Sequence, residues 1–185
     1  CNSITVINNS HFLLVSFASW IGKLDLTTLS IELIAGQKDE AGCQDGFPGE
    51  SLVNLVENIV IDPYDQVSAY FSDPVIGLVR KLDLRNNRVV TVTVHAESSN
   101  IAEHVSSLSL LNHTVNVLAY MDDQLIVTAN TTLCSIYTST MRTHCKPQFD
   151  TLKSISVNVP AQEVYYVNAN RTYIVRYVDE QHNGT

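Results

Sequence analysis

Two apolar runs, Val115 to Met121 and Leu125 to Val127, close around the polar trio Asp122, Asp123 and Gln124, and no other feature restricts the chain so much. Strand-forming side chains on both sides of a few turn formers make a β-hairpin whose acidic tip stands in water. The stretch opens at Asn112 and closes on Cys134 and Cys145, a short loop that a disulfide can bridge. The rest of the chain is read as the sheet that this hairpin joins.

Upstream, Phe12 to Phe17 is a short apolar run suited to a buried strand, and Leu29 to Leu33 alternates apolar with polar as a half-exposed strand does. Gly22-Lys23 and Asp25 are the expected turn between them, and Trp20, the sole tryptophan, is expected to anchor the core. Gly36 to Gly49 reads as a surface loop. Glu50 to Ile59 places Leu52, Val53, Leu55, Val56 and Ile59 on one helical stripe ended by Asp62-Pro63. Gln66 to Phe71 and Leu78 to Leu84 read as strands, with Asn86-Asn87 as the turn to a return strand over Val89 to His95. Asn100 and Glu103 form a capping pair ahead of Ile101, Val105, Leu108 and Leu111, a second amphipathic helix. Leu152 to Val159, Val164 to Val167 and Thr172 to Val178 complete the strands. The expected fold is therefore mainly β (α+β), an antiparallel β-sandwich or sheet with two short covering helices in a single domain over residues 1–185. No internal repeat is evident.

The balance of 19 acidic against 11 basic residues gives a net charge of −8, which disfavours nucleic acid or an anionic membrane as a partner. The basic stretches at Arg80-Lys81 and Arg85 to Arg88 read as a solvated strand edge and turn. The four cysteines lack the close pairing of a zinc or redox site, and the favoured disulfides are Cys134 with Cys145 and Cys1 with Cys43. Asn8, Asn112, Asn130, Asn170 and Asn183 each head an N-glycosylation sequon. Together these place the chain outside the cell, secreted or on the outer side of a membrane that it would reach only through a segment outside this chain. Gly184-Thr185 has the character of a cloning remnant, which would make the Asn183 sequon artificial. A start on Cys1 suits a processed or trimmed chain, with a lipid-bearing lipoprotein cysteine as the rival reading.

Lys81 to Arg85 and Tyr120 to Ile126 together resemble two signatures of retroelement reverse transcriptases. In that family the matching aspartates meet on adjacent strands and hold two magnesium ions, so the resemblance implies a metal site at Asp83, Asp122 and Asp123. It covers only these short stretches, and the family's intervening nucleotide-selecting motif and basic channel are missing. The residues themselves suffice as turn formers. No histidine pair has metal-ligand spacing, no nucleophile elbow or phosphate loop is present, and no cofactor is expected.

The function expected from these features is a non-enzymatic extracellular glycoprotein domain that binds another protein, as a cell-surface ectodomain or viral envelope glycoprotein does. The partner is a receptor or a companion glycoprotein chain. Asp45 and Phe47 in the glycine-rich loop, and Tyr165, Tyr166, Tyr173 and Tyr177 in the last strands, are the candidate contact residues. A secreted carrier of a lipid or small apolar ligand is the alternative.

Overall fold

A computed structural model of the chain describes residues 1–7, 10–93, 95–96, 115–121, 123–129, 132–147, 152–158, 163–168 and 174–177. The described residues form four small sheets and no helix. Sheet I contains β1 (Ser3–Val6), β2 (Phe12–Ser16), β3 (Trp20–Asp25) and β4 (Ile31–Gly36) in that spatial order. Sheet II contains β5 (Ile59–Ile61), β6 (Ser68–Asp73), β7 (Leu78–Asp83) and β8 (Arg88–Thr91). Sheet III contains β10 (Val115–Met121), β11 (Gln124–Ala129), β12 (Thr132–Tyr137) and β13 (Arg142–Pro147), with the short β9 (His95–Ala96) parallel to β13 at the outer edge. Sheet IV contains β14 (Leu152–Asn158), β15 (Glu163–Asn168) and β16 (Ile174–Tyr177). Apart from β9, each sheet is an antiparallel meander, and the first strands β1, β5, β10 and β14 lie one beside the next from sheet to sheet.

This arrangement replaces the expected sandwich under two helices. Sheet II is buried on both faces. Ile59, Ala69, Phe71, Leu82 and Val89 on one face join Leu14, Ile21, Ile34 and Ala35 of sheet I in one core. Tyr70 and Val79 on the other face join Leu125, Val127, Cys134 and Ile136 of sheet III in a second. Each fully buried side chain of this size stabilises by about 1.5–3 kcal/mol. The central strand β6 is accordingly buried at every position although Ser68, Ser72 and Asp73 are polar.

The segment expected as the first helix shows what burial does to a weak local preference. Its three-residue spacing is real, since Val53, Val56 and Ile59 all enter the first core. Its backbone, however, bonds outward: Leu52 N–H to Gln44 O, Val56 N–H to Ala18 O and Glu57 N–H to Ser72 O. Helix propensities are worth only tenths of a kcal/mol per residue, so cross-chain backbone pairing with three buried side chains decides the conformation. The second expected helix lies outside the described residues.

Other expectations shift by a few residues. Gly22-Lys23 lies inside β3, and the turn follows at Asp25–Ser30, where Leu29 N–H donates to Asp25 O at 2.8 Å. The hairpin of β10 and β11 is present with Met121 opposite Gln124, but Gln124 is only 5% exposed rather than part of a wet tip. The alternation at Val89 to His95 breaks: β8 ends at Thr91, Val89 enters the first core and Val92 the second.

A repeat passes unnoticed in the sequence. Lys23-Leu24-Asp25-Leu26 recurs as Lys81-Leu82-Asp83-Leu84, and both stretches run from the third strand of a sheet into its last turn. Each aspartate accepts from the N–H two residues on, Thr27 at 2.7 Å and Arg85 at 2.9 Å. Each turn then places a left-handed residue four positions after it, Leu29 (φ 58°) and Asn87 (φ 59°); Met141 (φ 55°) follows Tyr137 in sheet III in the same way.

Gly36 ends β4 at φ 74°, where an added Cβ would lie 2.3 Å from Ser19 O. Gly36→Ala is expected to cost about 3 kcal/mol or more in urea unfolding, through a backbone clash and positive-φ strain together. A loss below about 1 kcal/mol would show that sheet I does not need this corner.

Candidate interaction surface

The glycine-rich loop after β4 is held at several points instead of ranging over the surface. Ser19 Oγ donates to Gln37 O at 2.7 Å and Lys38 O at 3.0 Å. Gln44 and Leu52 exchange backbone hydrogen bonds in both directions, as do Gly46 and Val89, so the loop extends the outer edge of sheet II. Between these bridges the chain reverses over Phe47-Pro48-Gly49-Glu50. Pro48 suits the first corner, Gly49 supplies the φ of 85° needed at the second, and Glu50 N–H closes on Phe47 O at 3.0 Å.

Beneath the loop lies Arg80, fully buried although sequence reading assigned it to a solvated strand edge. β7 points it to the sheet I side with Leu82, where its guanidinium lies 5.8 Å from the Phe71 ring centre. Its Nη1 donates to Leu52 O at 2.5 Å, and its Nη2 donates to Gln44 O at 2.7 Å and Asp45 Oδ1 at 2.9 Å. Asp45 also accepts from Thr91 N–H at 2.9 Å and Thr91 Oγ1–H at 3.0 Å. Partial burial alone would raise the Asp45 pKa. The Thr91 and Arg80 donors outweigh that effect and hold it below the ordinary carboxylate value.

Asp45, expected as a contact residue, has its carboxylate bound to Arg80 and Thr91 while its side chain stays 43% exposed; Phe47 is 47% exposed with the Arg88 guanidinium 5.7 Å from its ring centre. Phe47 of the loop and Arg88 of β8 thus form an exposed pair. Sequence reading named Phe47 but placed Arg88 in an anonymous basic turn. Arg80 left no local trace, because its carboxylate partner lies 35 residues away.

Of the tyrosines expected as contact residues in the last strands, the structure describes the side chain of Tyr165. Tyr165 hydrogen-bonds Glu163 within β15. The register sets positions 164 and 166 with 175 and 177 on one face of sheet IV, and position 165 on the other with 176. Tyr173 lies outside the described residues, as do all five sequon asparagines, Asn8, Asn112, Asn130, Asn170 and Asn183.

Cys134 and Cys145 are directly opposed on β12 and β13 and joined by a disulfide that forms part of the second core. Cys1 and Cys43, expected as a pair, are exposed free thiols; Arg80 and the backbone bridges tie down the loop that carries Cys43.

The polymerase-like geometry does not form. Asp83 ends β7 in sheet II with Arg85 on both carboxylate oxygens, at 3.0 and 2.9 Å. Asp123 belongs to the β10–β11 turn of sheet III, where its carbonyl accepts from Thr138; Asp122 is outside the described residues. β7 pairs with β6 and β8 rather than with β10, so the adjacent-strand arrangement is absent. Among the described residues no three His, Cys, Asp or Glu side chains are grouped to hold a metal ion.

No family model and no curated protein sequence matches the chain. Solved structures do match its fold. The β-propeller domain of Cps50 (Swd1) from Myceliophteria thermophila superposes with a TM-score of 0.68 at 12% identity, covering 100% of this chain and 53% of that one. A chain of the mitotic checkpoint complex matches at 0.59 and 9% identity, covering 96% and 50%. Virginiamycin B lyase from Staphylococcus aureus matches at 0.59 and 8% identity, covering 97% and 55%. The chain spans about half the length of each. The four radial meanders are thus the blades of a β-propeller-like fold, and likeness at such low identity establishes the fold alone.

Removing the Asp45 carboxylate leaves the buried Arg80 cation without its counter-charge. Asp45→Ala is expected to cost about 2 kcal/mol, below the range for a wholly buried pair because Asp45 is 43% exposed. A lowered carboxylate pKa contributes stability above the unfolded value of 3.8 that disappears as pH falls through the folded value. Wild type should thus lose more stability than Asp45→Asn between about pH 5 and pH 2, and parallel urea curves for the two would sink this account.

Proposed function

We propose that the chain is an extracellular, non-enzymatic propeller domain that binds another protein, with Phe47 and Arg88 at the centre of the contact. The observation that carries this reading is the held loop: its acid is paired with the buried Arg80, its backbone is bridged to β8, and its aromatic side chain is offered to solvent beside a guanidinium. An exposed aromatic on a pre-ordered loop loses little conformational freedom on binding, and aromatic and arginine side chains dominate protein contacts.

The partner in this reading is a cell-surface receptor or a companion glycoprotein chain. The sequons and the disulfide of sheet III support an oxidising compartment. Support for protein binding also comes from the likeness to a chain of the mitotic checkpoint complex. Because the same fold occurs in a lyase, its use for binding rests on the loop and not on the fold.

The test uses the chain secreted from eukaryotic cells and screened against a panel of cell-surface ectodomains. For a captured partner, Phe47→Ala is expected to weaken binding by about 10- to 100-fold, with Arg88→Glu acting in the same direction. Both variants should keep the wild-type melting temperature within about 2 °C. Unchanged affinity in Phe47→Ala would exclude this contact centre. An intact mass that does not fall after glycan removal would remove the extracellular placement.

A further inference from the structure

Two wholly buried side chains of sheet II each keep one polar atom without a partner in the protein: Asp73 its Oδ1 and Arg80 its Nε. β6 and β7 place both on the face turned to sheet I. Phe71 stands opposite Arg80 and Asp73 opposite Leu78, so Asp73 and Arg80 are diagonal neighbours across the two strands. Such neighbours lie about 7–8 Å apart between Cα atoms.

Both side chains grip the same short stretch of the loop. Arg80 Nη1 donates nothing to Asp73 and bonds Leu52 O at 2.5 Å, while Asn54 N–H donates to the other Asp73 oxygen, Oδ2, at 3.0 Å. Only Val53 lies between these two grips, and its side chain enters the first core. Guanidinium and carboxylate are thus held within one residue of backbone of each other, yet the cation pairs directly with Asp45 and not with Asp73. Burial pushes the Asp73 carboxyl above its ordinary value, and the Asn54 N–H and the Arg80 charge act against that rise.

A buried donor and a buried acceptor are costly when left open, and natural interiors satisfy nearly all of them. Whatever satisfies these two must accept from the Arg80 Nε–H and donate to Asp73 Oδ1. A cation there would meet the Arg80 charge and an anion the Asp73 carboxylate, at close range in a medium that screens poorly. The occupant is therefore small, uncharged and both donor and acceptor. Internal waters have this character: they sit among otherwise open polar atoms and carry about two to four hydrogen bonds.

We infer that one internal water binds between Arg80 Nε and Asp73 Oδ1 and makes Asp73 the second acidic partner of the buried arginine. A single guanidinium then holds both limbs of the loop. The outgoing limb is held at Gln44 O and Asp45, the returning limb at Leu52 O directly and at Asn54 through Asp73. Asp73 thereby acts as a positioning residue for the loop that carries Phe47.

The experiment is NMR on the folded full chain, isotope-labelled at arginine and aspartate. The Arg80 Nε–H, identified by its contacts with the Phe71 ring, is expected to give a cross-relaxation peak to water. The peak should change sign between the laboratory and rotating frames, which marks a long-lived contact rather than proton exchange. Absence of this peak overturns the inference. So does a scalar coupling between Arg80 Nε and the Asp73 carboxyl carbon, the sign of a direct hydrogen bond with nothing between.

Asp73→Asn keeps polar atoms toward both Asn54 and the water and should retain the peak; Asp73→Leu should lose it. In Asp73→Leu, hydrogen exchange at Gly46 N–H and Leu52 N–H, which bond Val89 O and Gln44 O, should quicken on the order of tenfold, with the amides of β11 unchanged. A folded Asp73→Leu chain that keeps the water peak, or whose loop opens no more than β11, overturns the positioning role. The wild-type peak decides by itself should Asp73→Leu fail to fold.

Discussion

Most of what the structure presents on its surface depends on one buried cation. Arg80 sits on an interior strand with no solvent exposure, and a guanidinium there is tolerable only with several well-placed acceptors. The chain supplies them from the loop between sheets I and II: two carbonyls, Leu52 and Gln44, and the Asp45 carboxylate. The planar fork of arginine reaches all three, whereas a lysine would deliver one compact charge. By drawing the loop onto sheet II, Arg80 aligns Gly46 with Val89 and sets the turn that lifts Phe47 beside Arg88. Internal charge pairing and external display are thus two sides of one loop.

The sheets themselves depend on stacking. No single meander of three or four short strands buries enough apolar area to persist alone, so each needs a neighbour on its face. Sheet II has one on both sides, which lets β6 carry Ser72 and Asp73 in its interior: the strand's place is decided by what lies above and below it. Asp73 accepts the Asn54 N–H at 3.0 Å, and burial pushes its carboxyl above the ordinary value. Among the described residues sheet I packs through one face on sheet II, while Ile4, Val6 and Ile31 on its other face are exposed.

The local elements were legible to different degrees, for physical reasons. Hairpins such as β10–β11 and β7–β8 announce themselves, because alternation and turn formers act over a few residues. The stripe Val53, Val56 and Ile59 was also real, but three-residue spacing marks burial and not helix when the backbone finds partners elsewhere. The repeated Lys-Leu-Asp-Leu was visible yet read as half of a metal signature. Its meaning is an aspartate that caps its own turn at Asp25 and again at Asp83. In the candidate surface, Asp45 and Phe47 were both named from loop composition, while the pairing of Asp45 with the buried Arg80 left no local sign.

What the sequence by itself determined was the mainly β character, hairpins such as β7–β8 and β10–β11, and the candidacy of Cys134 and Cys145 as a disulfide pair. These follow from periodicity, turn chemistry and short loop closure, all of which act between near neighbours in the chain. Only the tertiary structure decided that the strands divide into four stacked meanders rather than the two layers of a sandwich. It alone decided that Arg80 is interior, that Asp45 pairs with it while Phe47 stands beside Arg88, and that Trp20 lies outside both cores. Each of these outcomes depends on which sheet face covers which, and that choice is made by contacts between residues far apart in sequence.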